Sequence, residues 1–108
     1  MNGVNFVPLG SVVLMQGGTQ KIMVVARGVS LKRGEKTFYF DYGGVLYPQG
    51  LMGNEMAYFN HLDIRSLVFI GCNDADNQTV VQMLNDNLEK HPELERCTIE
   101  EWQAANNE

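Results

Sequence analysis

The sequence predicts an α+β fold: a small antiparallel β-barrel of four to five strands, SH3-like or another meander, followed by one long and one short C-terminal helix. Two observations carry this prediction. Short runs rich in β-branched and aromatic residues alternate with glycine-containing turns over residues 7–72, as in small barrels. Beyond residue 72 the apolar spacing changes to three and four residues, which is the helical period. The 108 residues have the length of a single domain, 1–108.

The first three strands are predicted over residues 11–16, 21–31 and 36–47. Between the first two, Gly17-Gly18 permits the positive φ angles that a tight hairpin turn requires. Gly28 lies inside the second run and predicts a bulge or a sharp bend. The Gly43-Gly44 pair predicts a similar kink in the third strand.

A turn-rich loop and two further extended segments complete the predicted barrel. Pro48, Gly50 and Gly53 punctuate the loop. Residues 55–60 form a short extended piece, and residues 66–72 (SLVFIGC) form the last strand.

Two helices are predicted after the barrel, over residues 73–91 and 98–106. Asn73 or Asp74 caps the first helix, which ends just before Pro92. Its apolar stripe covers the barrel or is presented to a partner, and we favour the core role. Thr98 and Glu101 have the spacing of a capping box, so Thr98 is the predicted N-cap of the second helix.

Composition argues against several function classes. The 8 basic and 13 acidic residues give a net charge of −5, whereas a nucleic-acid-binding surface needs a basic patch. No apolar run approaches the roughly 20 residues that span a bilayer, and the N-terminus lacks the basic region of a signal peptide. We therefore expect a cytoplasmic protein with no nucleic-acid partner and no membrane insertion. In that compartment Cys72 and Cys97 are expected to be free thiols.

Asn60, His61 and Asp63 are the one group of neighbouring side chains that suggests catalysis. His61 could act as a general base oriented by Asp63, but no activated nucleophile accompanies them in the sequence. A turn in which Asn60 and Asp63 bond to the backbone explains the same residues, and we favour it. The histidines and acidic residues show no metal-site spacing. We therefore predict a protein that is not an enzyme, with no catalytic residue, cofactor or metal.

Aromatic and methionine side chains are concentrated between residues 37 and 64, in excess of what one face of a small barrel can bury. Such residues on a surface mark protein-binding patches, and the alternative that most of them belong to the core stays open. By strand alternation and loop position, the predicted exposed, partner-binding residues are Tyr39, Tyr42, Leu51, Met52 and Met56.

Three segments carry a resemblance to a known family: VPLGSVVLMQGGTQKIMVVAR, FYFDYGGVLYPQGLMGNEMAYFNHLDI and SLVFIGC. Together with the following acidic helix, over about residues 7–90, they resemble a small family of uncharacterised bacterial proteins, a domain of unknown function with a YDYxGxxYPxG…YFNHxDI motif. The motif positions in its turn are Tyr47, Pro48, Gly50, Asn60, His61 and Asp63, and the family assigns them no role.

The resemblance implies a role in secretion. Members of this family are often encoded in type VII secretion loci of Gram-positive bacteria, beside LXG-type toxins and small WXG100-like helical proteins. It therefore implies a non-enzymatic accessory or chaperone protein that binds an LXG-type effector in the cytoplasm before export. Two alternatives stay open: an immunity protein that neutralises a toxin domain, and a small enzyme using Asn60, His61 and Asp63. Self-association through an exposed strand edge also stays open.

Overall fold

The computed structural model describes residues 3–106, which form one five-stranded antiparallel sheet and two C-terminal helices. A one-turn 3₁₀ helix, His61–Asp63, separates the fourth and fifth strands. The bounds are β1 Val12–Met15, β2 Lys21–Arg33, β3 Lys36–Tyr47, β4 Ala57–Phe59, β5 Ile64–Phe69, α1 Ala75–Lys90 and α2 Ile99–Asn106. The predicted α+β class, with its antiparallel strands followed by one long and one short helix, is confirmed.

The sheet is open, with the strand order β4-β3-β2-β1-β5. Strands β4 and β5 are its two edges, and the structure pairs β5 with β1 only. Consecutive strands pair in every case except β4 and β5, which lie at opposite ends. A barrel would require these two edges to meet.

The β2–β3 hairpin is the largest part of the sheet, running from the Lys21–Tyr47 pair to the turn at Arg33 and Lys36. Its register shifts between Val24 and Ala26, so the β-bulge lies at Val25 rather than at Gly28. Gly28 has a φ of +63°, a left-handed conformation that bends the strand and favours glycine.

The core forms two clusters under the two helices. One cluster contains Phe6, Val13, Ile22, Val24, Tyr42 and Phe59, with Val81, Leu84 and Leu88 of α1 packed against it. The other contains Phe38, Phe40 and Cys97, with Trp102 of α2 against it. Trp102 meets the Phe38 ring edge-on at 5.3 Å between centroids. The α1 stripe therefore serves the core, as we favoured, because its apolar side chains cover the sheet.

After β5 the backbone passes very close to the chain that enters β1. A Cβ placed on Gly71 would lie 2.0 Å from the Leu9 carbonyl oxygen and 2.9 Å from the Ser11 nitrogen. The Gly71 N–H donates to the Ser11 hydroxyl at 2.9 Å, and Ser11 is fully buried. Only glycine fits at this crossing, which directs the chain from the sheet to α1.

A capping box begins α2, as the sequence predicted. The Thr98 N–H donates to Glu101 Oε1 at 3.0 Å, and the Glu101 N–H donates to Thr98 Oγ1 at 3.1 Å. We expect Thr98→Ala to lower the free energy of unfolding by about 1 kcal/mol, because a helix N–H loses its partner. Denaturant unfolding measures the loss, and Thr19→Ala in the exposed β1–β2 turn is the control. Equal stability of the two variants would contradict a capping role for Thr98.

Candidate functional site

The predicted partner-binding residues divide into two buried tyrosines and three loop residues. Tyr39 and Tyr42 are 3% and 0% exposed, so their predicted exposure is wrong. Tyr39 and Tyr42 point to opposite faces of β3, and both faces are covered, because every residue from Phe38 to Val45 is buried. Residues 96–97 also run beside β3, where the Cys97 N–H donates to the Tyr39 carbonyl at 2.8 Å.

The three loop residues lie between β3 and β4. Leu51 and Met52 are 59% and 60% exposed, and Met56 is half-buried with its methyl group against Gly43. The Gly50 N–H donates to the Leu46 carbonyl at 2.7 Å and closes the turn. The turn includes a cis peptide bond between Tyr47 and Pro48. Partner binding by Leu51, Met52 and Met56 stays a prediction.

Asn60 and Asp63 close the 3₁₀ turn that leads into β5. The Asn60 N–H donates to Asp63 Oδ2 at 2.8 Å, and the Asp63 N–H donates to the Asn60 carbonyl at 3.0 Å. Asn60 also bridges two segments with its side chain. Its Oδ1 accepts the Asp41 N–H at 3.0 Å, and its Nδ2 donates to the Cys97 carbonyl at 2.7 Å. Asn60 thus links β3 to the chain preceding α2.

A buried carboxylate, missed in the sequence, lies at the centre of this polar network. Asp41 is 1% exposed. Its Oδ2 accepts the His61 N–H at 2.9 Å, and both of its oxygens accept from Arg96 Nε at 2.9 Å. An acidic residue inside the aromatic run FYFDY was the available signal, because a buried charge requires a partner. Arg96, 55 positions away, could not be paired with it by spacing.

His61 is also held by Tyr42. Its Nδ1 lies 2.7 Å from the Tyr42 hydroxyl, which accepts the Val7 N–H at 2.9 Å. The three residues considered for catalysis therefore bond to β3, to their own turn and to the segment preceding α2. Such contacts position β3, β4 and β5 relative to one another.

Burial raises the pKa of both Tyr39 and Tyr42 to about 12. Because a raised pKa favours the neutral phenol in the fold, each tyrosine contributes stability that is fully present below pH 10. This stability is lost as the pH rises toward 12. We expect the free energy of unfolding to fall across that range, and the fall to be smaller in Tyr42→Phe. Denaturant unfolding at pH 8 to 12 measures it, with the exposed-ring variant Tyr47→Phe as control; identical profiles for the two variants would contradict the prediction.

Four consecutive exposed apolar residues form the second half of β5 and the residue after it. Leu67, Val68, Phe69 and Ile70, here called the β5 surface, are 46%, 47%, 61% and 51% exposed. The sequence showed an apolar strand but not its place in the sheet. A run such as SLVFI suits a central buried strand equally well.

A shallow apolar groove adjoins the β5 surface on the sheet face. It has a volume of about 320 Å³. Its lining residues are Gly10, Val12, Lys21, Met23, Tyr47, Val68 and Phe69. The Lys21 ammonium lies 5.9 Å from the centre of the Tyr47 ring, so the groove has a cation at its rim.

The described residues contain two thiols and no cluster of metal ligands. Residues 3–106 contain no group of three or more His, Cys, Asp and Glu side chains that could hold a metal ion. Cys72 is exposed and Cys97 is buried, and both are free thiols. Within the same residues, neither helix has the length and apolarity needed to cross a membrane.

Comparison with known proteins gives one match. The family model described as a domain of unknown function, DUF4176, matches residues 6–80, which include the whole sheet and the start of α1. No curated protein and no solved structure matches the chain.

Proposed function

We propose that this chain, which belongs to the DUF4176 family of domains of unknown function, is a non-enzymatic accessory protein of type VII secretion. It binds an LXG-type effector in the cytoplasm and holds it as a chaperone before export. The observation that carries the proposal is the exposed β5 surface. The resemblance of the YPQG…YFNHLDI motif to a family encoded beside LXG-type toxins names the class of partner.

The β5 surface has the composition of a protein-binding site. Four consecutive apolar side chains, residues 67–70, are each about half exposed. Val68 and Phe69 line one groove, and exposed apolar clusters of this kind mark interaction sites or aggregation hazards. Burial of these side chains by a partner would stabilise the complex by about 25 cal/mol for each Å² of apolar surface covered.

The polar motif supports a binding protein over an enzyme. Asn60 and Asp63 close a turn, and Asp41 and Tyr42 hold His61. These contacts employ the motif's polar groups in holding the fold. The exposed side chains in the second half of β5, Leu67, Val68 and Phe69, are apolar, which suits association with another chain.

An immunity protein is the second candidate, favoured by the net charge of −5. An acidic surface accelerates association with a basic toxin domain and adds specificity. Both candidates are binding proteins, and they differ in which part of the effector they contact.

Two assays in the host bacterium separate these functions. For a chaperone, deletion of this gene lowers the amount of LXG-type effector that accumulates and is secreted, and its expression gives no protection against the isolated toxin domain. For an immunity protein, expression rescues growth in the presence of that domain and deletion leaves secretion unchanged. Unchanged secretion without rescue would contradict both functions.

A further inference from the structure

The β5 edge is a poor template for an added strand, although its side chains are apolar. Relative to β1, β5 has register shifts opposite the Val12/Val13 and Leu14/Met15 steps. Val68 and Arg65 are therefore extra residues that β1 does not pair. Bulges and edge cations are the devices by which proteins prevent strand addition at a sheet edge. The irregular edge favours a partner that contacts side chains rather than backbone groups.

The groove beside this edge lies across neighbouring strands. Its residues come from β5, β1, β2 and the end of β3, which are adjacent in the sheet order. Three strand spacings of about 4.8 Å give roughly 14 Å, and an α-helix with its side chains is about 10–12 Å wide. A single helix therefore fits the width of this part of the sheet.

A packed helix already covers a different part of the same sheet. Trp102 of α2 meets Phe38, Phe40 and Tyr58, which lie away from the groove along the β2–β3 hairpin. At the groove, by contrast, Tyr47, Val68 and Phe69 are 44%, 47% and 61% exposed. The helix α1 packs against Val13 and Ile22, which alternate along their strands with Val12 and Met23, so it covers the other face of this end. Among residues 3–106, no residue of either helix lines the groove.

The cations beside the groove indicate the charge of the helix that would bind there. The groove and the adjoining edge carry two exposed cations, Lys21 and Arg65, in a chain whose net charge is −5. Arg65 donates to the Gly18 carbonyl at 3.1 Å, and neither cation forms an ion pair within residues 3–106. A helix with an apolar stripe and a carboxylate at its border complements this surface.

We propose that the β5 surface and its groove bind one amphipathic helix of the partner protein, whose apolar stripe packs on Phe69 and Val68 and whose acidic border faces Lys21. The identity of that partner as an LXG-type effector rests on the proposed function. The binding mode is that of a helix in an apolar groove, with side chains supplying most of the affinity.

Substitutions on the groove and on matched sites test this mode. Isothermal titration with the LXG region of the effector encoded in the same locus measures the Kd. We expect Phe69→Asp, and separately Val68→Lys, to raise the Kd at least tenfold. Met83→Asp, equally exposed at 63% on α1, changes it less than threefold. Thermal unfolding of each variant verifies that it is folded.

Substitution of Lys21 at the groove rim and of the distant Lys32 tests the role of charge in binding. Lys21→Glu is expected to weaken binding at least fivefold and to reduce its salt dependence, since it reverses a complementary charge. Lys32→Glu, on the exposed far end of the β2–β3 hairpin, has little effect. Equal effects of the two variants would overturn the assignment of the acidic border to Lys21.

Nuclear magnetic resonance separates a docked helix from other occupants. A helix shifts the methyl signals of Val12, Met23 and Val68 and leaves the β5 amides without new hydrogen bonds. Protection of alternate β5 amides would overturn the proposal in favour of an added strand, and a homodimer that Phe69→Asp dissociates would overturn it in favour of a second copy.

If the wild-type chain fails to bind the LXG region, the proposed function fails. If Phe69→Asp and Val68→Lys bind as well as wild type, only the helix site fails.

Discussion

Gly71→Ala is expected to abolish stable folding or to lower the free energy of unfolding by more than about 3 kcal/mol. The new Cβ would lie 2.0 Å from the Leu9 carbonyl oxygen and 2.9 Å from the Leu9 carbonyl carbon. Both neighbours are backbone atoms, so no side-chain rotation relieves the contact. The crossing chains must separate, and the Gly71 N–H bond to buried Ser11 is lost with them.

Gly18→Ala is the matched control for this prediction. Gly18 has no left-handed φ, and its added Cβ would meet only the Met15 carbonyl at 3.9 Å. We expect its free energy of unfolding to stay within about 0.5 kcal/mol of wild type. Urea unfolding of the two variants measures the difference. A Gly71→Ala protein as stable as Gly18→Ala would show that the segments at Leu9 and Gly71 do not cross as described.

Asp41→Ala has the second-largest expected effect, a loss of about 2–3 kcal/mol, because its hydrogen bonds are made to a charged group. The substitution removes the acceptor for the His61 N–H and for Arg96 Nε. It thereby releases the 3₁₀ turn before β5 and the segment beside β3 at the same time. The His61 N–H, in a half-buried residue, loses its acceptor, which adds a desolvation cost.

The stability effects of substituting Asp41 and Arg96 are expected to be coupled. Asp41 is 1% exposed, whereas the Arg96 side chain is 40% exposed. In Asp41→Ala the freed guanidinium can turn to water, but in Arg96→Ala the carboxylate stays buried with one fewer donor. Each single variant is therefore destabilised, and the double variant loses less than the sum of the two. Chemical denaturation of the four proteins gives the coupling energy, with Glu35→Ala in the exposed hairpin turn as control; strict additivity would contradict the pairing.

Features encoded over short distances were predictable from the sequence. The reversal at Gly17, where φ is positive, the glycine-marked bend in β2 and the Thr98/Glu101 box each depend on residues within a few positions. The helical period after Cys72 likewise located α1 before its packing was known. Each is set by backbone conformation or by local hydrogen bonds.

Features that depend on strand order and remote partners were not predictable. Tyr39 and Tyr42 were expected to be exposed, since alternation identifies two faces but not what covers each of them. The segment beside Tyr39, where the Cys97 N–H donates to the Tyr39 carbonyl, is remote in sequence. For the same reason β5, an edge strand, was indistinguishable from a central one.

The candidate site also combines a local turn, which was predictable, with remote contacts, which were not. Asn60 and Asp63, three positions apart, carry the spacing of a turn. Asp41 acquires its role only when Arg96 is folded against it. The β5 surface is visible only after folding, because its exposure follows from the position of the strand at the end of the sheet.

The central claim is that this chain is a binding protein for the LXG region of an effector. Light scattering during size-exclusion chromatography of the two co-expressed chains tests it most directly. The claim predicts one peak that contains both chains, with a mass above that of either alone, and its loss in Phe69→Asp but not in Met83→Asp. Separate elution of two unassociated wild-type chains, both folded by circular dichroism, would contradict it.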